Sequence, residues 1–359
     1  MKKVLIGICD IGNGHVNRQI MVIKELLKKN FKVVVAISNK KKEVLNKIFP
    51  EIEIVEINIP WITCNKYGID FNDCLEKYQK NGNDYFLDFL TFCNKVNKIF
   101  DGKPDFVISD YEPNVAQYSY ANNVPLICME QQSKFLYLKE MKINNFSINE
   151  EFYRLNYFFP KTDFKIISSF FDIDIKRKNV YVVPPIIDKL EKKKIENNKV
   201  VVYFSPYCDD IEKFKKILDL IKQIKELNFI VYTNIKEKFN NYNKEKNITF
   251  KNFSSEFKSD FGSSLFVISS SGHQLISEAI YLDIPLYLFP LDTYEQNYNC
   301  LMVEKFNLGK KIEKFDLNEF YNFYNYIDLY VKNIKKYKTK KWKNSWEDVL
   351  SKIIKKICK

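Results

Sequence analysis

Histidine occurs only twice in the 359 residues, at His15 and His273, and each follows a glycine where an apolar run gives way to helically spaced apolar residues. The first site runs from apolar residues 4–9 through Asp10, Ile11, Gly12, Asn13, Gly14 and His15, with Ile20, Ile23, Leu26 and Leu27 beyond. The second runs from 265–268 through Ser269, Ser270, Ser271, Gly272 and His273, followed by Leu275, Ile276, Ala279 and Ile280. A strand that feeds a glycine turn and then a helix aims backbone N–H groups and a positive helix end into one crevice, where phosphate or another anion binds. Two such turns in two halves of a chain point to one ligand held between them.

Other chemistry-bearing residues cluster with these turns. An imidazole can accept a proton at neutral pH, which makes His15 a candidate general base. Arg18, one helical turn on, faces either a phosphate or solvent. Ser109-Asp110-Tyr111-Glu112-Pro113 follows an apolar run, so Asp110 or Glu112 can orient His15, act as the base itself, or cap the next helix. Glu278 lies six residues past Gly272; a carboxylate there can take two hydrogen bonds from a ribose diol while the turn's N–H groups take a diphosphate. The alternative for Glu278 is a solvated helix face.

The elements that must position these residues read as repeated βα units. Strands are expected at 32–38, 52–57, 104–110, 125–129, 164–168 and 180–183, with helices at 85–100 and from Pro113 to Asn122. Pro184-Pro185 ends this half, and 189–199 (KLEKKKIENNK), charged and nearly devoid of apolar residues, reads as a linker. Alternation then resumes with strands at 200–204, 229–233, 248–250 and 285–289 and helices at 211–227 and 294–306. This organisation predicts an α/β domain over 1–188, a linker over 189–199, a second α/β domain over 200–325 and a helical segment over 326–359. Two domains suit the length, since single cores stop growing near ~250 residues.

Composition narrows the class. Hydrophobic residues make up 46% and aromatics 16%, enough for packed cores. The net charge of +12 comes from lysine spread along the chain beside abundant Asn, Ile, Phe and Tyr, without the aromatic–basic motifs of nucleic-acid modules, so no nucleic-acid partner is expected. The eight cysteines form no CxxC pair and do not cluster with the histidines, which fits reduced thiols and predicts no metal centre. Asp172-Ile173-Asp174 has DxD spacing but sits in a charged connection, and is read as solvated. No stretch approaches the ~20 apolar residues of a membrane span. The amphipathic basic segment 346–359 is either a helix packed on the body or a contact for an anionic membrane. A cytoplasmic protein is expected, at the inner face of the cell membrane if that contact forms.

The string from Ser270 and Gly272 to Glu278, followed by Pro285, Pro290, Glu295-Gln296 and Asn299, resembles the nucleotide-sugar signature of GT-B glycosyltransferases, in particular the inverting group of MurG and the macrolide and plant glucosyltransferases. The resemblance implies two Rossmann-like domains facing across a cleft, with C-terminal helices packing back on the body. It implies that Glu278 holds the ribose, that the backbone of Ser270, Ser271, Gly272 and His273 binds the diphosphate, and that Glu295 and Gln296 bind donor-sugar hydroxyls. The plant and macrolide enzymes carry a histidine two residues before the glycine, where this chain has Ser270. In the first domain the backbone of Gly12, Asn13 and Gly14, with Arg18, would face the diphosphate and the acceptor, and His15 would be the catalytic or near-catalytic residue. The turn Gly12-x-Gly14-His15-x-x-Arg18 together with the Ser-Asp-Tyr-Glu-Pro turn looks like a GxGHxxR branch of that group.

The expectation is therefore inverting, metal-independent transfer of a hexosyl or N-acetylhexosaminyl group from a UDP-sugar to a hydroxyl of a surface or lipid-linked glycan. The nucleotide-sugar is a substrate, and no cofactor is expected. The alternative is a UDP-sugar hydrolase of the pseudaminic acid pathway type, which shares the Gly-x-Gly-His-x-x-Arg turn and uses water as acceptor.

Overall fold

The computed structural model describes residues 1–57, 63–65, 68–70, 76, 78–143, 146–196, 198–204, 210–342 and 345–358. The first sheet contains β1 (Lys3–Ile8), β2 (Lys32–Ile37), β3 (Glu53–Glu56), β6 (Phe106–Asp110), β7 (Leu126–Glu130), β8 (Phe164–Ser168) and β9 (Val180–Val183). Their order is β3-β2-β1-β6-β7-β8-β9, all parallel. The hairpin β4 (Thr63–Asn65) and β5 (Gly68–Asp70) stands apart from it. Buried parallel strands need apolar residues on both faces, and they have them: Val4, Ile6 and Ile8 enter one core cluster and Leu5 the other.

Helices of this half include α1 (Gly14–Lys28), α2 (Asn39–Ile48), α3 (Tyr85–Phe100), α4 (Pro113–Asn122) and α5 (Asn149–Phe158). The spacing of Val16, Ile20, Ile23 and Leu26 lays α1 against the face of Val4 and Ile6. Helix α3 starts at an Asp84 side-chain cap on the Leu87 N–H and ends at Asp101 in the left-handed conformation, both as chain chemistry predicts.

The second sheet, β12-β11-β10-β13-β14-β15, is also parallel: β10 (Lys199–Tyr203), β11 (Asn228–Tyr232), β12 (Ile248–Lys251), β13 (Val267–Ser269), β14 (Leu286–Leu288) and β15 (Gly309–Lys311). Its helices are α6 (Ile211–Ile221), α7 (Glu256–Gly262), α8 (His273–Tyr281) and α9 (Tyr294–Lys305). Helix α6 is shorter than the 211–227 expected, although Ile224 and Leu227 are still buried. The chain leaves the helix in tight turns, and the Asn247 side chain donates to the freed carbonyls of Ile221 and Ile224 at 2.9 and 2.8 Å.

Three last helices, α10 (Leu317–Tyr324), α11 (Ile327–Lys341) and α12 (Trp346–Ile357), tie the halves together. Phe320 and Phe323 of α10 pack under the second sheet with Phe266 and Tyr287. Helix α11 straddles both halves: Tyr337 donates to the Phe170 carbonyl at 2.9 Å, and Lys338 reaches Asp283 at 2.8 Å. Trp346, Leu350, Ile353 and Ile354 then bury α12 against the first sheet, in the cluster that holds Val4, Ile6 and Ile166. The basic C-terminal segment thus packs its apolar face on the body. Among the described residues no helix is long and apolar enough to cross a membrane.

Candidate active site

Strand order reverses between β1 and β6 in one sheet and between β10 and β13 in the other. Register places Ile8 beside Asp110 and Tyr203 beside Ser269, so these strand ends and the turns that follow β1, β6 and β13 come together at the reversal points, where open α/β sheets hold ligands. They line a cavity of about 240 Å³ between the two halves. The halves touch closely here: a Cβ on Gly14 would stand 3.0 Å from the Gln274 Cβ. Gly12 turns the chain with a φ of +77°, a conformation glycine adopts without steric cost.

His15 sits in the first turn of α1, nearly buried, with Nδ1 2.7 Å from Asp110 Oδ1. The fully buried Asp110 carboxylate also accepts from Arg18 Nε at 2.9 Å, Arg18 Nη2 at 2.5 Å and Gln19 Nε2 at 2.8 Å. His15, Arg18 and Gln19 are at i, i+3 and i+4, so one face of α1 delivers all three donors to the end of β6. Burial alone would push the Asp110 carboxyl up; Arg18 and His15 outweigh it and hold it below the usual carboxylate range. An ionised Asp110 makes Nδ1 the protonated nitrogen and leaves Nε2 as the acceptor. The 3.1 Å approach of Arg18 Nη2 to Nδ1 is then a meeting of two donors and adds no bond.

Arg18, expected at the phosphates, lines the cavity but has its guanidinium paired with Asp110 in both directions of the fork, which makes it a brace for the Asp110–His15 pair. Glu112, the other candidate carboxylate, does not join His15. It caps α4, with Oε1 accepting from Asn114 N at 3.1 Å and Nδ2 at 2.7 Å, and Oε2 from Val115 N at 2.8 Å. Burial nevertheless pushes Glu112 up to about 7. Between the two carboxylates Tyr111 adopts φ +55° and stacks on His15 with ring centroids 6.3 Å apart. A bulky residue in the left-handed region carries strain of the kind that collects at functional sites.

At the second turn Gly272 precedes α8 with no side-chain cap, and Asn13 precedes α1 likewise. Both helices therefore begin at the cleft with N–H groups that no side chain among the described residues caps. Not every backbone donor of the turn is open. The Ser271 N–H, expected to bind diphosphate, donates to Gln296 Oε1 at 3.1 Å, and the Leu291 N–H donates to the same oxygen at 3.0 Å. Gln296 thus ties the turn to the loop after β14, while its neighbour Glu295 lines the cavity with Ser270, Gly272 and Gln274. Asn299 closes the same knot by donating to the Ser271 carbonyl at 3.0 Å. Half-buried Glu278 lies one turn past Gln274, whose Nε2 donates to its Oε1 at 2.9 Å.

His273 lines the cavity, nearly buried, its ring 5.4 Å from Phe170, and neither ring nitrogen has a hydrogen-bond partner among the described residues. Burial, with Lys134, Arg18 and His15 nearby, holds its pKa well below the ordinary histidine value, so the ring is neutral. Sequence reasoning did not single out Gln19, Glu151 or Arg154. The last two come from α5 and reach the cleft beside Tyr111, whose hydroxyl lies 3.4 Å from Glu151, with Arg154 Nη2 3.5 Å from that carboxylate. Only their i, i+3 pairing hinted at a shared face. The side chains of Asp172 and Asp174 are 56% and 82% exposed and meet Lys341 and Lys176.

Two parallel α/β domains meeting at the carboxyl ends of their strands, with the C-terminal helix crossing back to the first, define the GT-B architecture. Solved structures share it over nearly the whole chain. Arabidopsis thaliana UGT89C1 complexed with UDP superposes with a TM-score of 0.73 at 13% identity, covering 100% of both chains. Acinetobacter baumannii MurG does so with a TM-score of 0.62 at 13% identity, over 99% of this chain and 100% of that one. An uncharacterized glycosyltransferase of Methanosarcina mazei is 24% identical over 333 residues, 86% of this chain and 85% of its own. The chain belongs to glycosyl transferase family 1, whose family model matches residues 2–327, and is a glycosyltransferase.

Proposed function

We propose that this enzyme transfers a hexosyl or N-acetylhexosaminyl group from a UDP-sugar to a hydroxyl of a surface or lipid-linked glycan, with inversion and without metal or other cofactor. Residues 1–188 hold the acceptor and 200–325 the donor. The observation that carries the reading is the His15 Nδ1–Asp110 contact of 2.7 Å on the wall of a cleft where two uncapped helices begin. His15 Nε2 takes the acceptor proton as the oxygen attacks C1. Asp110 holds the ring and stabilises the imidazolium, and Arg18 and Gln19 hold Asp110. Charge growing on the departing diphosphate is met by the starts of α1 and α8, through the backbone of Gly12, Asn13, Gly14, Ser270, Gly272 and His273. Glu278 takes the ribose, and Glu295 and Gln296 the sugar hydroxyls.

Support for a UDP donor comes from the solved relatives: UGT89C1 was captured with UDP, and Phytolacca americana UGT2, at 11% identity and a TM-score of 0.71, with UDP-2fluoro-glucose and pterostilbene. Calorimetry with a panel of nucleotide sugars tests the donor. Glu278→Ala is expected to weaken UDP binding at least tenfold, whereas His15→Ala leaves it within threefold and lowers kcat by about 10³. Slow sugar release that a glycan acceptor accelerates fits transfer; rapid stoichiometric release without acceptor, or no UDP compound binding at all, overturns the proposal.

A further inference from the structure

A second cavity, of about 380 Å³, lies on the first domain between the starts of β8 and β9 and Tyr137. It shares no lining residue with the interdomain cleft. Lys165, Arg177 and Lys178 line it against a single carboxylate, Asp163, so its wall carries three formal positive charges and one negative, a net +2. Its volume is far above that needed by one water, ample for a polyatomic anion.

Lys165 is the anomaly. It is only 8% exposed, and its Nζ has no hydrogen-bond partner among the described residues. Register sets it beside Cys128 of β7, whose thiol burial pushes up to about 12, so it supplies no negative charge. Neither Asp163, which accepts the Leu126 N–H at 2.8 Å, nor Glu130, which accepts the Ser133 N–H at 2.8 Å, bonds to the Lys165 Nζ. A largely buried lysine ammonium without an acceptor is costly, and such groups persist when a counter-ion completes them. The turn carrying Arg177 is anchored to the same lysine, since the Lys165 N–H donates to the Asn179 carbonyl at 2.9 Å. Arg177 and Lys178 are exposed and make no ion pair among the described residues. Burial raises the Tyr137 pKa further, which keeps its hydroxyl a donor.

We propose that this cavity is a phosphoryl-binding site, in which Lys165 from the sheet and the Arg177 fork from the rim hold one phosphate group. A planar guanidinium beside a point-charge ammonium is the donor set that phosphate oxygens accept best. The same chemistry is offered by a soluble phosphate ester and by a phospholipid headgroup.

Inorganic phosphate is the probe, titrated into the full-length protein and read by thermal melting and ³¹P NMR line width. Wild type is expected to show a saturable response. Arg177→Ala, at an exposed position, is expected to weaken it about tenfold, and Lys165→Met to abolish it while raising the melting temperature in phosphate-free buffer. Sedimentation with vesicles of phosphatidylcholine alone or with phosphatidylglycerol separates the sources. Binding to the anionic vesicles that Arg177→Ala removes assigns the site to a headgroup, and a saturable phosphate response without vesicle binding assigns it to a soluble ester. The same phosphate response in wild type and both variants places the anion elsewhere and overturns the proposal, as does the absence of any saturable response.

Discussion

Replacing Asp110 with Asn preserves shape and removes one charge, and the structure sets the size of the effect. Asp110 is fully buried and accepts four hydrogen bonds, from His15, Gln19 and twice from Arg18. An amide has one acceptor oxygen, so its NH₂ must face a donor now bound to the other carboxylate oxygen. His15 then loses the partner that fixes its Nδ1–H tautomer and stabilises its cation. The loss of such a carboxylate in a histidine dyad costs about 10³–10⁴ in kcat, which at ~1.4 kcal/mol per tenfold is about 4–6 kcal/mol of transition-state stabilisation. Arg18, 2% exposed, is left without its counter-charge, and breaking a buried pair on one side destabilises the fold by about 3–5 kcal/mol. Steady-state transfer, UDP calorimetry and urea melts read the three consequences apart. The expected result is a kcat lower by at least 10³, UDP affinity within threefold, and a lower urea midpoint with an unchanged slope. An Asp110→Asn enzyme with kcat within tenfold of wild type would refute the assignment of Asp110 as the residue that orients the base, and Arg18→Met with full activity would refute the brace.

Two further outcomes are expected. Glu112 titrates near 7 in the fold and near the ordinary 4.5 when unfolded, so the folded state binds the extra proton between those values and stability falls as pH rises from about 4.5 to 7, by about 3 kcal/mol. In chemical denaturation across that range, Glu112→Gln should flatten this part of the profile; an unchanged slope removes Glu112 as its source. Leu350 of α12 is fully buried against the first sheet, so Leu350→Ala should cost about 2–5 kcal/mol, and a loss under 0.5 kcal/mol in a urea melt would contradict the docking of α12.

Much of the architecture was legible because parallel strands buried on both faces are short continuous apolar runs. The expected strands at 164–168 and 180–183 coincide with β8 and β9, and α3 coincides with 85–100. Less legible was whatever depends on partners distant in sequence. Helix α6 stops at Ile221, where the Asn247 side chain donates to the freed carbonyls of Ile221 and Ile224. Helix α2 was missed because Lys40 to Glu43 give a charged start with little apolar periodicity, and α5 because its 133–159 context is aromatic throughout. The stretch 189–199, read as a bare linker, touches the second domain: the Lys193 N–H donates to the Gly262 carbonyl at 2.8 Å, and the last residue, Lys199, opens β10.

By itself the sequence determined where the candidate chemistry sits along the chain. Glycine turns between strand and helix periodicities, with a carboxylate ending a strand, are local facts, and they marked His15, Asp110, Gly272 and Glu278 without any contact being known. What the tertiary structure alone decided was the division of labour among them. Asp110 and Glu112 are two residues apart and chemically alike, yet the register of β6 on β1 turns one toward His15 and leaves the other to cap a helix. Arg18 became a brace, and the Gln296 side-chain oxygen a tie for the second turn, because groups 92 and 25 residues away occupy them, while the Gln296 side chain still lines the cleft. Hydrogen bonds are short-ranged and directional, so a side chain's role depends on which atoms the fold brings within about 3 Å, and sequence spacing does not specify that.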